Sequence, residues 1–238
     1  MSALFKVPCI LLVSLAFHNA FTSPNAPDPE ERAPVNTLGE RFVKLGMSMI
    51  RVRKAILWGL GVMEIIAILA NTLPVMGAVP QPASNLVKML GQVDDLYLTP
   101  SSAAGMLLIV SGSLIRWQCY RTMKHLFTFE ISIRKDHRLV TTGPYGVVRH
   151  PSYMGTLAVH IGMYCWFGSR GSWLRESGLL DTVGGRVSAI LFATSMTGVL
   201  VGLLRRVPVE DAMLKRTFGK QWDVWARRVP YALVPGLY

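Results

Sequence analysis

Four stretches of this chain run for 18 to 23 residues with at most one acidic, basic or histidine side chain each: Ala55 to Gly77 with Glu64, Leu96 to Ile115 with none, Pro151 to Ser169 with His160, and Val187 to Leu204 with none. A helix crosses the hydrocarbon core of a bilayer with roughly 20 mostly apolar residues. A fifth stretch, Val7 to Pro27, carries only His18, although its apolar part ends at Phe21. The chain has 238 residues, 51% hydrophobic and only 16% charged, where soluble domains run at about 25% charged. Mean hydropathy is +0.36. Apolar residues in that excess must face lipid, so the expected fold is an all-α integral membrane protein, a bundle of about five transmembrane helices.

The first stretch has two readings, because Lys6 ahead of a short apolar run describes a cleaved signal peptide as well as a retained helix. Residues 22 to 36 place Pro24, Pro27, Pro29 and Pro34 among Asp28, Glu30 and Glu31, which reads as a linker. Lys and Arg then orient the spans, since they accumulate in short cytoplasmic loops. Of 25 such residues, six lie in 30–54, seven in 116–149 and seven beyond Leu204, whereas 78–95 and 170–186 hold four between them. The C-terminus is therefore expected on the cytoplasmic side.

The net charge of +11 has an explanation in that orientation and in attraction to anionic headgroups of the lipid bilayer. No nucleic-acid partner is expected, because no base-stacking platform or recognition motif accompanies the basic residues. Cys9, Cys119 and Cys165 are far apart, with no paired spacing and no His at ligand distance in sequence, so no metal and no disulfide framework are expected. Phosphate-cradling and nucleophile-elbow motifs are absent from the sequence.

Polar residues collect in two blocks, each abutting a span: His137 to Gly155, and Arg205 to Asp211. The first packs His150, Tyr145, Tyr153, Arg149, Pro144 and Pro151 among three glycines. Irregular backbone at a membrane surface must be buried in protein or line a polar cavity. Gly143-Pro144 suits a turn with positive φ at the glycine, and Pro151 suits the first turn of a helix. Arg206 and Glu210, four apart, share a helix face. On spacing alone they describe an exposed ion pair as well as a site. Glu64 reads as a protonated or hydrogen-bonded structural carboxyl, His160 as a packing residue, and Trp58, Trp117, Trp166 and Trp173 as interfacial anchors.

The first block, with its His-x-Leu-Val, Gly-x-Tyr and Arg-His-Pro-x-Tyr-x-Gly runs, resembles the signature of the isoprenylcysteine carboxyl methyltransferase family. The tail is similar too: Arg206, then Glu210-Asp211, Phe218-Gly219 and Arg228-Val229-Pro230. The likeness spans about residues 100 to 238, so residues 1–95 are taken as N-terminal transmembrane helices and linker, and 96–238 as the catalytic region. Asp211 stands where a second Glu is more usual, a small change in reach. Glu130 stands where some relatives place a neutral amide.

The resemblance implies an endoplasmic reticulum membrane enzyme, multi-pass, with a cytoplasmic cofactor pocket. It implies S-adenosylmethionine-dependent methyl transfer to the C-terminal carboxylate of a prenylated cysteine in client proteins of the CaaX type. Arg206 would bind the substrate carboxylate, where its planar fork suits the geometry. Glu210 would contact the cofactor and share the catalytic role. His137, Leu139, Val140, Tyr145, His150, Pro151 and Tyr153 would form the rest of the cofactor wall. A phospholipid or other small-lipid methyltransferase would share that pocket without needing Arg206. Membrane sterol reductases carry a comparable Arg-His-Pro run but are considerably longer chains.

Overall fold

A computed structural model describes residues 3–25, 38–72, 93, 95–129 and 138–237. The described residues are all-α: α1 (Lys6–Ala20), α2 (Leu38–Ser48), α3 (Ile50–Thr72), α4 (Pro100–Met123), α5 (Pro151–Gly168), α6 (Trp173–Glu176), α7 (Val183–Phe218) and α8 (Lys220–Arg228), with short 3-10 turns between. Three helical segments are long and apolar enough to cross a membrane: Ala3–Ala20, Ile50–Thr72 and Val183–Phe218. The chain is thus a multi-pass membrane protein. The other two expected spans are helical as well, but α4 and α5 carry more polar residues over their length, Arg116 and Arg121 in one and Ser152, Thr156 and His160 in the other.

Helix bounds depart from the hydropathy reading in several places, three of which bear on the site or its surroundings. α1 stops at Ala20, where the Asn, Thr and Ser that follow favour local side-chain bonds over a helix. α4 runs on to Met123, so Arg116 lies inside a helix rather than in a loop. α7 continues fourteen residues past Leu204 and takes in Pro208, which leaves one backbone carbonyl unpaired and carries Arg206, Glu210 and Asp211 on one continuous helix. The amphipathic α2 was not expected at all.

Two compact units divide the chain. The first comprises Met1–His18, Ile50–Val110 and Val159–Thr194. Its core holds a buried ion pair, Lys6 Nζ with Glu64 Oε1, each residue only 1% exposed. Lys6 also donates to the Gly171 carbonyl at 2.5 Å and lies 5.6 Å from the Trp166 ring centroid. Glu64 is therefore structural, as its isolation in an apolar helix suggested. Trp166 corrects the sequence reading: at 2% exposed it is a core residue, because it caps this buried cation rather than facing headgroups. α4 and α5 approach closely here, since a Cβ on Gly162 would come within 2.6 Å of the Gly105 carbonyl oxygen. Small residues permit such contact between membrane helices.

The second unit comprises Asn19–Met49, Ser111–Ala158 and Ser195–Tyr238. The same close approach recurs, with a Cβ on Gly155 falling 2.7 Å from the Gly112 carbonyl. Its core packs Cys119, Tyr120, Phe127, Tyr145, Trp225 and Val229. Beside them, Arg116 is 4% exposed and spends its donors on the Ala20 carbonyl (2.6 Å), Tyr120 hydroxyl (3.0 Å), Ser152 carbonyl and hydroxyl (3.1 and 3.0 Å) and Thr156 hydroxyl. Its guanidinium lies over Phe21, Tyr120 and Phe129, and none of its described partners is a carboxylate.

Candidate functional site

The second unit contains a cavity of about 810 Å³, counted out to its open mouth. The loop ahead of α5 builds one wall. Thr142 is extended and a single 3-10 turn spans Gly143–Gly146, with φ +60° at Gly143 and Pro144 next, which is the backbone that a Gly-Pro pair favours. The turn drives Tyr145 inward, where its hydroxyl meets Met123 Sδ at 2.8 Å and its carbonyl accepts from Trp225 Nε1 at 3.1 Å. Burial pushes the Tyr145 phenol well above its ordinary pKa, so it stays a neutral donor.

Arg149 and His150 follow, locked to the C-terminal tail. Their amides donate to the Tyr231 and Ala232 carbonyls at 3.0 and 2.8 Å. The Arg149 guanidinium reaches the Val229 carbonyl at 3.1 Å and the Pro230 carbonyl beside it. Asp211 on α7 then ties both residues together: its Oδ2 lies 3.1 Å from Arg149 Nε and from the terminal Nη2, and its Oδ1 lies 3.0 Å from His150 Nε2. The His150 ring stacks parallel to Tyr153, centroids 5.6 Å apart at 6°. Its Nδ1 lies 3.6 Å from Glu210 Oε2, beyond hydrogen-bond length, and that oxygen is buried with no hydrogen-bond partner.

Of the residues singled out from sequence, Leu139, Val140, Tyr145, His150, Tyr153 and Glu210 line this one cavity. Pro151 starts α5 and is buried, but it does not line the cavity. Arg206 also lies outside the lining. It is 6% exposed, donates to the Phe129 carbonyl at 3.2 Å, and keeps a buried Nε without a partner. The exposed Arg206–Glu210 ion pair that the spacing allowed does not form. Arg206 does act electrostatically on Tyr153, as do Arg116 and Glu210. His137 and Glu130 lie outside the described residues.

Sequence reasoning missed several contributors. Met123, Phe127, Met213, Leu214 and Trp225 complete the apolar lining, and nothing in their local pattern distinguishes them from ordinary core residues. Asp211 was legible as one of an acidic pair, but its partners were not. Arg116 looked like a loop cation because the apolar run ends one residue before it. The arrangement offers an apolar and aromatic pocket, one unsatisfied buried carboxylate oxygen, and buried guanidinium groups close by. Such a site can accept hydrogen bonds from a cationic or hydroxyl-bearing ligand and attract an anionic group.

Comparison with known proteins agrees with the motif. Residues 105–170 match the isoprenylcysteine carboxyl methyltransferase family. The chain is 33% identical to protein-S-isoprenylcysteine O-methyltransferase B of Arabidopsis thaliana over 157 residues, covering 61% of this chain and 68% of that protein. It is 28% identical to the A form from the same plant over 156 residues, 60% of this chain and 68% of that one. It is 31% identical to the Schizosaccharomyces pombe protein-S-isoprenylcysteine O-methyltransferase over 96 residues, 40% and 33% of the two chains. No solved structure matches. The matched range contains the Arg149 to Gly155 run around which the cavity is built, and the chain belongs to the isoprenylcysteine carboxyl methyltransferase family.

Proposed function

We propose that this protein methylates the C-terminal carboxylate of a prenylated cysteine in CaaX-type client proteins, using S-adenosylmethionine, at the endoplasmic reticulum membrane. The observation that carries the reading is a juxtaposition on α7. One helical turn separates a buried guanidinium with a spare donor, Arg206, from a buried carboxylate oxygen with a spare acceptor, Glu210 Oε2. Complementary charges so close would ordinarily pair with each other. That both keep unsatisfied atoms suits two ligand groups of opposite character.

The residues present fit S-adenosylmethionine. Its ammonium and ribose hydroxyls are donors of the kind Glu210 Oε2 lacks, and its adenine suits a wall of Leu139, Val140, Leu214 and Trp225. His150, Tyr145 and Tyr153 complete that wall, and His137 and Pro151 belong with it by resemblance. When bound, the cofactor supplies a methyl group activated by positively charged sulfur. The chain's own part is positioning and electrostatics. Arg206 holds the acceptor carboxylate ionised and aimed, Arg116 adds positive potential around Tyr153, and the apolar lining excludes water. The prenyl chain would reach the site from the bilayer.

The test is methyl transfer from labelled S-adenosylmethionine to N-acetyl-S-farnesylcysteine, using membranes that carry this chain. Base-labile ester that disappears in Arg206→Ala is the expected result. Base-stable label in the lipid fraction, with no ester, would replace the reading with a small-lipid methyltransferase.

A further inference from the structure

We infer that Asp211 is a positioning residue of this site: by accepting from His150 Nε2 it fixes the imidazole tautomer that leaves Nδ1 bare beside Glu210 Oε2. The inference rests on the functional reading above and gives the acidic pair a division of labour, with Glu210 facing the ligand and Asp211 working through His150.

Both oxygens of Asp211 are committed, Oδ2 to two nitrogens of Arg149 at 3.1 Å and Oδ1 to His150 Nε2 at 3.0 Å. A carboxylate gripped by a guanidinium is ionised and can only accept. His150 Nε2 must therefore carry the hydrogen. In its neutral form the ring has no second N–H, and Nδ1 then presents its lone pair 3.6 Å from Glu210 Oε2, itself buried without a hydrogen-bond partner. Two acceptors then converge, with the Tyr153 hydroxyl within reach of the Glu210 carboxylate. An ammonium or hydroxyl of the bound cofactor would satisfy both.

The ring cannot readily swing away to relieve this. It stacks on Tyr153, its own amide is bonded to the Ala232 carbonyl, and Arg149, which braces Asp211, is itself held by the Val229 and Pro230 carbonyls. Asparagine at 211 would reverse the arrangement. With its oxygen kept on Arg149, its amide would donate to Nε2 and move the imidazole hydrogen to Nδ1. That hydrogen would bond Glu210 Oε2 and fill the place meant for the cofactor's donor.

The experiment uses the full chain in nanodiscs with 15N-labelled histidine, its five His signals read above neutral pH without cofactor or acceptor, and His150→Gln to assign the signal. Wild type is expected to carry the hydrogen on Nε2, Asp211→Asn on Nδ1, and Asp211→Glu on Nε2 again. Steady-state kinetics should show the KM for S-adenosylmethionine raised about tenfold or more in Asp211→Asn, the size of a lost charge-assisted bond. The KM for N-acetyl-S-farnesylcysteine should stay put, and Asp211→Glu should restore the cofactor KM. An Nδ1–H tautomer in wild type overturns the positioning role, as does an unmoved cofactor KM in an Asn variant whose hydrogen has moved. Wild-type protein that fails to bind S-adenosylhomocysteine overturns the functional reading instead, because the tautomer is measured without any ligand. If Asp211→Asn does not fold, the wild-type and Asp211→Glu spectra still decide.

Discussion

The two units treat their most deeply buried cations in opposite ways. In the first, Lys6 faces Glu64, and both are sealed from solvent with the Gly171 carbonyl and the Trp166 ring closing the cation's shell. In the second, Arg116 and Arg206 are nearly as buried, yet their described partners are carbonyls, hydroxyls and aromatic faces. Charge that is matched inside a low-dielectric interior holds structure together. Charge left unmatched is costly unless something arrives to match it. The difference separates a region that needs only to persist from one prepared for a ligand.

The largest test of that contrast is in the first unit. Lys6→Met or Glu64→Leu alone strands one buried charge and should cost about 3–5 kcal/mol of stability. The Lys6→Met, Glu64→Leu pair should regain most of that loss. Thermal unfolding in detergent, read as a double-mutant cycle, measures the coupling. A near-zero coupling would mean that the pair contributes nothing to stability.

In the second unit the same kind of change should act on turnover rather than on folding. Arg206→Met keeps the aliphatic stem and gives up one bond to the Phe129 carbonyl, so stability should change by about 1 kcal/mol or less. Carboxyl methylation should fall about 10²–10³-fold, the usual cost of removing one group that stabilises charge during reaction. Loss of folding in step with loss of turnover would make Arg206 another Lys6 and erase the distinction between the units.

How far this was legible beforehand follows from the physics of each signal. Long uncharged runs announce helices because a bilayer leaves the backbone no alternative, and each of the five expected stretches contains a described helix. Gly143-Pro144 announced its turn because glycine takes φ +60° most readily and proline fixes its own φ. Arg206 and Glu210 were legible as a pair by helical spacing. The pairing of Lys6 with Glu64 was not, because it joins residues 58 apart in sequence and hydropathy carries no information about partners. Asp211's grip on His150 and Arg149 was hidden for the same reason. Arg116 was misread because a positive charge next to an apolar run signals a loop as well as a buried network.

Where the units are built alike, their responses should match. Gly162 in the first unit and Gly155 in the second each bring α5 against a carbonyl of α4, with an added Cβ at 2.6 and 2.7 Å. Gly162→Ala and Gly155→Ala should each destabilise by about 1–3 kcal/mol, the range for overpacking a close contact. Gly59 in α3 has nothing within 4 Å of an added Cβ. There alanine should instead stabilise by about 0.5–1 kcal/mol through helix propensity. Equal loss at all three positions would mean that helix geometry, not contact, sets the response.

The smallest effect concerns a buried group of the second unit that is neutral. Burial raises the Tyr145 phenol well above its ordinary value, with Cys119 and Glu210 adding to the shift. The folded state therefore resists ionisation that the unfolded chain undergoes at a pH of about 10. The unfolded state binds fewer protons there, so the stability Tyr145 contributes is whole below that pH and is lost as pH climbs toward the folded value. Tyr145→Phe removes the ionisable group and gives up weak bonds to the Met123 thioether and the Cys119 thiol. Its unfolding temperature should lie close to wild type at neutral pH and fall less steeply between about pH 10 and 11. Parallel alkaline slopes for the two proteins would mean that the phenol titrates as freely in the fold as in the unfolded chain. The second unit would then be wetter around Tyr145 than its packing against Trp225 and Met123 describes.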